Sequence, residues 1–409
     1  MHSKLDYGHI AKMIGTSIGT HLATFCKMGP LQNLWGEGGS VEGAAKLDWK
    51  RLLNLEETLV LGLDIGSSAV KMVQLHKDKA GCAVTAAGIL EIANGTESNK
   101  NHKETNTVSA ISKCLRSTGV QTRLAVCSVC GPEVAVRYFK FPSLPPAEIE
   151  GAVLLEAAQV CPFNIDDSAV DYQLMGGPKR EKGRLRSRPD GDGTVCGVLV
   201  AATNRLIQRK SQLVEQASLN TVLMDVDGLA LLNCFSEYEE TEAGQTTAIL
   251  NVGSSFTNLA IMGDNSSPFI RDIAYAGNEI VKKIAAENKL RPETVNGILS
   301  GCENSSKTQL EISGSLEKAC RKLIVDVTET LRYYAAQEKS TVVKKIFVCG
   351  GFALVKGFVE LLDNQLPATV VLWNPFDKMD CDAGQQCRDI LQKNGPAMAV
   401  AAGLAMRSI

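Results

Sequence analysis

Two stretches of this chain repeat one pattern at a fixed distance. Residues 59–75 read LVLGLDIGSSAVKMVQL and residues 248–262 read AILNVGSSFTNLAIM, so that Asn251 takes the place of Asp64 at an offset of 187 residues (251 − 64). In each stretch an identical Gly-Ser-Ser separates two apolar runs, which is the pattern of two strands joined by a tight turn. Because internal similarity at a constant offset indicates related structural units, the chain is predicted to contain two homologous halves.

The polar residues of the two turns predict phosphate binding. Successive backbone N–H groups at a turn form a concavity that binds anions, and glycine lets a phosphate approach closely. Lys71 can balance the phosphate charge, and Asp64 can hold the Mg2+ that accompanies a nucleotide. The sequence therefore predicts a nucleotide clamped between two domains. The predicted nucleotide-binding residues of the turns are Asp64, Gly66, Ser67, Ser68, Lys71, Asn251, Gly253, Ser254 and Ser255, with Asp64 also the predicted metal ligand.

Two further segments have glycines where a phosphate or ribose binds. Gly277 and Asn278 precede a predicted helix, and Gly350 and Gly351 follow a buried strand predicted at residues 345–349. A helix N-terminus preceded by glycine, and a junction of strand, Gly-Gly and helix, both suit such contacts. We therefore add these four residues to the predicted site.

Composition excludes several classes of function. The net charge of −2 provides no electrostatic reason to expect a nucleic-acid partner. All five histidines lie at or before His102, so the rest of the chain has none for a Ser-His-Asp triad or a zinc-binding HExxH site. The odd count of 13 irregularly spaced cysteines favours reduced thiols in a cytoplasm. No apolar run reaches the length of a transmembrane helix.

Two segments fit less well with a globular domain. Residues 1–57 carry a weak helical stripe of apolar residues interrupted by glycines, which predicts a poorly ordered extension; an amphipathic helix for a membrane surface or a partner is the alternative. The loop at 176–193 is strongly basic, which predicts a solvated hairpin tip, with contact to acidic lipid or an acidic partner as the alternative.

The motifs together resemble the actin, sugar kinase and Hsp70 ATPase superfamily, whose members bind a nucleotide between two duplicated domains. Within it, residues 58–409 resemble the PilM family of type IV pilus assembly proteins, which is related to FtsA. The resemblance is carried by VRYFKFP at 136–142, EAAQVCPFN at 156–164, DYQ at 171–173 and PAMAVAAGLA at 396–405. It implies an α/β, actin-like (ribonuclease H-like) two-domain duplicated fold with an inserted subdomain called 1C.

The resemblance also implies how the chain divides and what it binds. The predicted units are an extension (1–57), subdomain 1A (58–142 and 220–245), 1C (143–219), 2A (246–275 and 341–394), 2B (276–340) and a closing helix of 1A (395–409). PilM-like proteins bind ATP, with Mg2+, and hold the cytoplasmic tail of a PilN-like inner-membrane protein between 1A and 1C. The resemblance thus implies a cytoplasmic scaffold of a pilus or a type II secretion system, peripheral to the inner membrane through partners. Pilus alignment and motor proteins, and further copies of the chain, are the other implied partners.

Two departures from the family pattern predict binding more readily than turnover. Family members have aspartate where this chain has Asn251, and an uncharged amide should hold Mg2+ more weakly. The helix at 293–300 has an apolar residue where a lysine is expected for the adenine. An FtsA-like division protein and a small-molecule kinase, with Asp225 or Asp227 as general base, are the alternatives.

Overall fold

The structure of the protein is a computed structural model that describes residues 59–77, 81–93, 100–175, 194–239, 246–262, 267–301, 306–337 and 342–407. The predictions for residues 1–57 and for the basic loop at 176–193 lie outside these ranges. The strands are β1 (Leu61–Ile65), β2 (Ala69–Lys77), β3 (Cys82–Glu91), β4 (Leu124–Val129), β5 (Val134–Pro142), β6 (Ser168–Met175), β7 (Thr194–Thr203), β8 (Asn220–Val226), β9 (Thr246–Val252), β10 (Thr257–Met262), β11 (Pro268–Ile273), β12 (Val343–Cys349), β13 (Thr369–Leu372) and β14 (Asp380–Cys381).

Helices cover the sheets and connect their strands. They are α1 (Lys100–Thr118), α2 (Pro146–Val160), α3 (Asn204–Gln216), α4 (Asp227–Tyr238), α5 (Gly277–Asn288), α6 (Pro292–Leu299), α7 (Ser306–Gln337), α8 (Phe358–Gln365), α9 (Gln385–Asn394) and α10 (Ala399–Ala405). Short 3-10 helices lie at Gly351–Leu354, Pro375–Lys378 and Gly395–Met398. None of the helices in the described part of the chain is both long and apolar enough to span a membrane.

The two large sheets share one order of five strands, to which the first adds the edge strand β14, and this confirms the duplicated fold. The first runs β14-β3-β2-β1-β4-β8 and the second β11-β10-β9-β12-β13. In each sheet the first three strands form an antiparallel meander. The first strand of the meander also pairs with a parallel strand on its other side, β1 with β4 and β9 with β12. Strand β1 is buried along its whole length. Central strands covered on both faces need apolar residues throughout, which explains the near-continuous apolar runs around both turns.

A third sheet, ordered β5-β7-β6, forms a separate layer. On one face its side chains and helix α2 build a small core that includes Phe139, Val153 and Leu199. On the other face Val136 and Val198 join the core of the first domain. Because β5 pairs with β7 rather than with β4, this sheet begins at Val134, ahead of the boundary at 143 expected from the sequence. The pairing of β5 depends on a strand about 60 residues away, which a local pattern does not reveal.

Helix α4 joins the first sheet to the second. The Phe235 ring lies edge-on to Phe347 of β12 and to Trp373, with centroids 4.9 and 5.5 Å apart. The closing helix α10 packs on α4 so closely that a side chain on Gly403 would collide with the Ala230 carbonyl. Strand β14 returns the chain to the first sheet by pairing with β3. The sequence had predicted that the chain returns to subdomain 1A only at residue 395. These contacts hold the two domains and their turns in one arrangement.

Candidate functional site

The two predicted turns have the same geometry. The Gly66 N–H donates to the Ala69 carbonyl at 3.1 Å, and the Gly253 N–H donates to the Phe256 carbonyl at 3.1 Å. A side chain on Gly66 would lie 2.8 Å from Lys71 Nζ, and one on Gly253 would lie 3.0 Å from the Phe256 carbonyl oxygen. A side chain would be tightly packed at either position, and the duplication extends to the hydrogen bonds of the two turns.

The serines of each turn present unused amides. Among the described residues, the N–H groups of Ser67, Ser68, Ser254 and Ser255 donate to no backbone carbonyl. The two turns also meet, because the hydroxyl oxygens of Ser68 and Ser254 lie 2.6 Å apart. Two sets of N–H donors on touching turns suit the oxygens of a polyphosphate. The residues present thus fit the group that the sequence predicted.

Charge distinguishes the first turn from the second. Lys71 Nζ donates to Asp64 Oδ2 at 2.9 Å, and both side chains are largely buried, with exposures of 15% and 12%. These two residues face each other across β1 and β2. In the second domain the same two positions are Asn251 and Asn258, and Asn251 Nδ2 donates to Asn258 Oδ1 at 2.8 Å. An ion pair in one half corresponds to an amide pair in the other.

The remaining predicted residues lie around the second turn. The N–H groups of Gly277 and Asn278 donate to the carbonyls of Gly253 and Ser254 at 3.0 and 2.8 Å. Gly350, with φ of +93°, brings its backbone against the second turn, and its N–H donates to the Pro396 carbonyl at 2.8 Å. The amides of α5 therefore hold the turn in place, whereas the first amide of the Gly-Gly segment bonds to the 3-10 helix at Gly395–Met398. A direct ligand contact from these residues stays a prediction.

A partly buried carboxyl group, Asp227, adds to the first turn from the start of α4. Burial first, and the nearby Asp64 charge second, raise its pKa from 3.8 to about 6, against the opposing effects of hydrogen bonds from Ser128 and Cys130 and of the Lys210 charge. Perturbed carboxyl groups of this kind are concentrated at functional sites. The Asp64 and Asp227 carboxylates thus lie together at the carboxyl ends of the first sheet's strands. Carboxylate oxygens are ligands that suit Mg2+ and its shell of waters.

Lys210 was not predicted and comes from α3, the helix that leads out of the small sheet. Its Nζ donates to the Ile65 carbonyl at 2.6 Å, one residue beyond Asp64. Only the packing of α3 against β4 and β8 brings this lysine to the turn. No sequence signal separates it from the other lysines of an amphipathic helix.

Asp225 has a structural partner. It is 1% exposed and forms an ion pair with Arg407 at 2.6 Å, so both of these opposite charges are removed from solvent. A general base for a kinase needs access to its substrate. Asp225 lacks this access because it is buried and paired with Arg407. Of the two candidates, Asp227 is the carboxyl group that faces the first turn.

Two sheets of equal strand order, joined turn to turn and accompanied by a third small sheet, define an actin-like ATPase fold. The chain belongs to the family of the type IV pilus assembly protein PilM, whose family model matches residues 62–409. The solved structure of a PilM-PilN type IV pilus biogenesis complex is similar to it, with a TM-score of 0.70 and 22% identity over 86% of this chain and 99% of that chain.

Two other solved structures that are similar to this chain have lower TM-scores. The ethanolamine utilization protein EutJ from Carboxydothermus hydrogenoformans has a TM-score of 0.49 and 13% identity over 87% of this chain and 91% of that chain. MreB5 of Spiroplasma citri bound to AMPPNP has a TM-score of 0.43 and 12% identity over 85% of this chain and 95% of that chain.

Proposed function

We propose that the protein is an ATP- and Mg2+-binding scaffold in the inner-membrane assembly platform of a type IV pilus or a related type II secretion system. Membership of the PilM family supports the role in assembly. The observation that carries the nucleotide part is the pair of touching turns with unused serine amides. The protein acts in the cytoplasm and reaches the inner membrane through its partners.

The residues around the two turns have different roles in binding the nucleotide. The N–H groups of the serine turns hold the phosphate oxygens, and Lys71 balances part of their charge. Asp64 and Asp227 orient the waters of Mg2+, which supplies further neutralisation of phosphate charge when it is bound. With Asn251 in the second turn, and an apolar residue where a lysine is expected on the helix at 293–300, the site favours binding over hydrolysis.

A titration with fluorescently labelled ATP tests the nucleotide part directly. We expect saturable binding that requires Mg2+ and is reversed by EDTA, with unlabelled ATP as the competitor. Binding that is equally strong without the metal would contradict the role of the carboxylates. A complete absence of saturable binding would refute the proposal for the site.

The proposal of a PilN-like partner is argued from the two faces of the small sheet. Tyr138 pairs across the strands with Val198, so both side chains lie on the face that turns toward the first domain. Val198 is buried there, whereas Tyr138, on the edge strand β5, remains 40% exposed. An aromatic side chain beside an apolar core is a typical anchor for an extended peptide. We propose that the cytoplasmic tail of a PilN-like protein binds here, between 1A and 1C.

Replacing Tyr138 tests the proposed peptide-binding groove between 1A and 1C. Tyr138→Ser should weaken binding of a peptide from the tail of a PilN-like protein at least about tenfold, because hot-spot aromatics contribute roughly 2 kcal/mol or more. Leu155→Ser is the matched control, since Leu155 is 68% exposed on α2, which covers the opposite face of the sheet. Isothermal titration calorimetry measures both. Equal effects of the two variants would contradict the groove, and preferential binding of an FtsZ-like tail would favour a division protein.

A further inference from the structure

A row of three side chains crosses the second domain and ends on the first. Asn251 of β9 pairs with Asn258 of β10, and Asn258 pairs with Asp272 of β11, so the three side chains lie side by side on one face of the sheet. Asn258 Nδ2 donates to Asp272 Oδ1 at 2.7 Å, and Asn251 Nδ2 donates to Asn258 Oδ1 at 2.8 Å. The other carboxylate oxygen, Asp272 Oδ2, accepts the N–H of Gly131 from the first domain at 2.5 Å.

The chemistry of these groups permits one direction of hydrogen bonding. An ionised carboxylate only accepts, so Asn258 must turn its amino group toward Asp272 and its oxygen toward Asn251. Asn258 is 2% exposed and has no water with which to exchange this orientation. Asn251 must then use its amino group for Asn258, which leaves its Oδ1 on the other side. That oxygen faces the Gly-Gly segment, because a side chain on Gly350 would lie 2.5 Å from it.

The comparison with the first domain shows what the row replaces. There the three equivalent positions are Asp64, Lys71 and Ile89, with the carboxylate directly at the turn. In the second domain the carboxylate stands two strands away, at Asp272. The negative charge is thus removed from the turn, while the direction of the amides still presents an oxygen to the candidate site.

We propose that Asp272 is a positioning residue that sets, through Asn258, which atom Asn251 presents to the ligand: an accepting oxygen rather than an amino group. This inference rests on the proposed function in assigning that ligand to a nucleotide with Mg2+. An outward oxygen accepts from a water of hydrated Mg2+, whereas an outward amino group does not. The contact of Asp272 with Gly131 ties this orientation to the arrangement of the two domains seen in the structure.

The isosteric variant Asp272→Asn reverses the row without breaking it. Asn at 272 accepts from Gly131 through its oxygen and donates to Asn258, which then turns and donates to Asn251. We expect the variant to fold with nearly unchanged stability and to bind Mg-ATP about tenfold more weakly, because one charge-assisted contact is lost. Asp326→Asn, with the same loss of charge in the neighbouring helix α7, is the matched control and should bind as the parent does.

A double-mutant cycle tests the direction of the row without any nucleotide. Asn251→Asp in the parent places carboxylates on both sides of the single Asn258 amino group, so the folding equilibrium constant should fall at least about tenfold. In the Asp272→Asn background the same change completes a satisfied row and should cost little stability. Urea unfolding of the four proteins measures this coupling, and the double variant should also regain Mg-dependent ATP binding.

The outcomes separate this inference from the proposed function. Additive effects on stability in the cycle, or unimpaired Mg-ATP binding by Asp272→Asn, would overturn the inference. Failure of the parent protein to bind Mg-ATP would refute the proposed function, while the unfolding cycle would still decide whether Asp272 sets the direction of the row.

Discussion

The partly buried carboxyl group of Asp227 should lower the stability of the protein at neutral pH, and Asp227→Asn should reveal by how much. Its pKa rises from 3.8 to about 6, with burial as the main cause and the Asp64 charge as the second. A difference of roughly two pKa units between the unfolded and folded states corresponds to about 3 kcal/mol. Asparagine has nearly the same shape, still accepts a hydrogen bond from Ser128, and carries no charge.

The sign of the effect follows from proton binding. The folded state holds the Asp227 proton more tightly than the unfolded state, so the penalty is absent below about pH 4, grows between about pH 4 and pH 6, and is complete above about pH 6. The linkage relation places the penalty at about 1.6 kcal/mol at pH 5 and about 3 kcal/mol at pH 7.5. The stability gained by the variant should therefore increase by about 1.4 kcal/mol between these two pH values.

Urea unfolding at pH 5 and pH 7.5, followed by circular dichroism, measures this increase. Asp377→Asn, at an exposed position on a 3-10 helix, controls for the general effect of removing a carboxylate. The reasoning is refuted if the gain in unfolding free energy is the same at both pH values or if the variant is less stable than the parent at pH 7.5. A carboxyl group kept at such a cost beside Asp64 is better explained by binding than by folding.

Two other variants test the ion pairs of the first domain. Asp64→Ala removes the carboxylate proposed to face Mg2+ and leaves Lys71 without its partner, so Mg-dependent binding of labelled ATP should be lost while the circular dichroism spectrum is retained; retained affinity would contradict the role of Asp64. Arg407→Met leaves Asp225 buried without its partner, which should lower the unfolding free energy by about 3–5 kcal/mol in urea titrations; a loss below about 1 kcal/mol would mean that the pair contributes little.

Local patterns were sufficient for the two turns and for the duplication, whereas the class of fold was implied by the resemblance of the motifs to a family. The apolar runs around Asp64 and Asn251 predicted strands because a central strand must bury both faces, and identical Gly-Ser-Ser segments at one offset predicted the duplication. The structure confirms both, down to matching hydrogen bonds at Gly66 and Gly253. These features are determined by residues that are neighbours in the chain.

Other features depend on contacts between distant parts of the chain, which no local pattern contains. Strand β5 belongs to the small sheet because it meets β7, and Lys210 reaches the first turn because α3 packs beneath it. Asp272 accepts from Gly131, 141 residues earlier, and this contact joins the row at Asn251 to the first domain. The sequence by itself determined where each half of the site lies. The tertiary structure decided which carboxyl groups face it and in which direction its amides point, because burial removes the water that would otherwise satisfy either orientation.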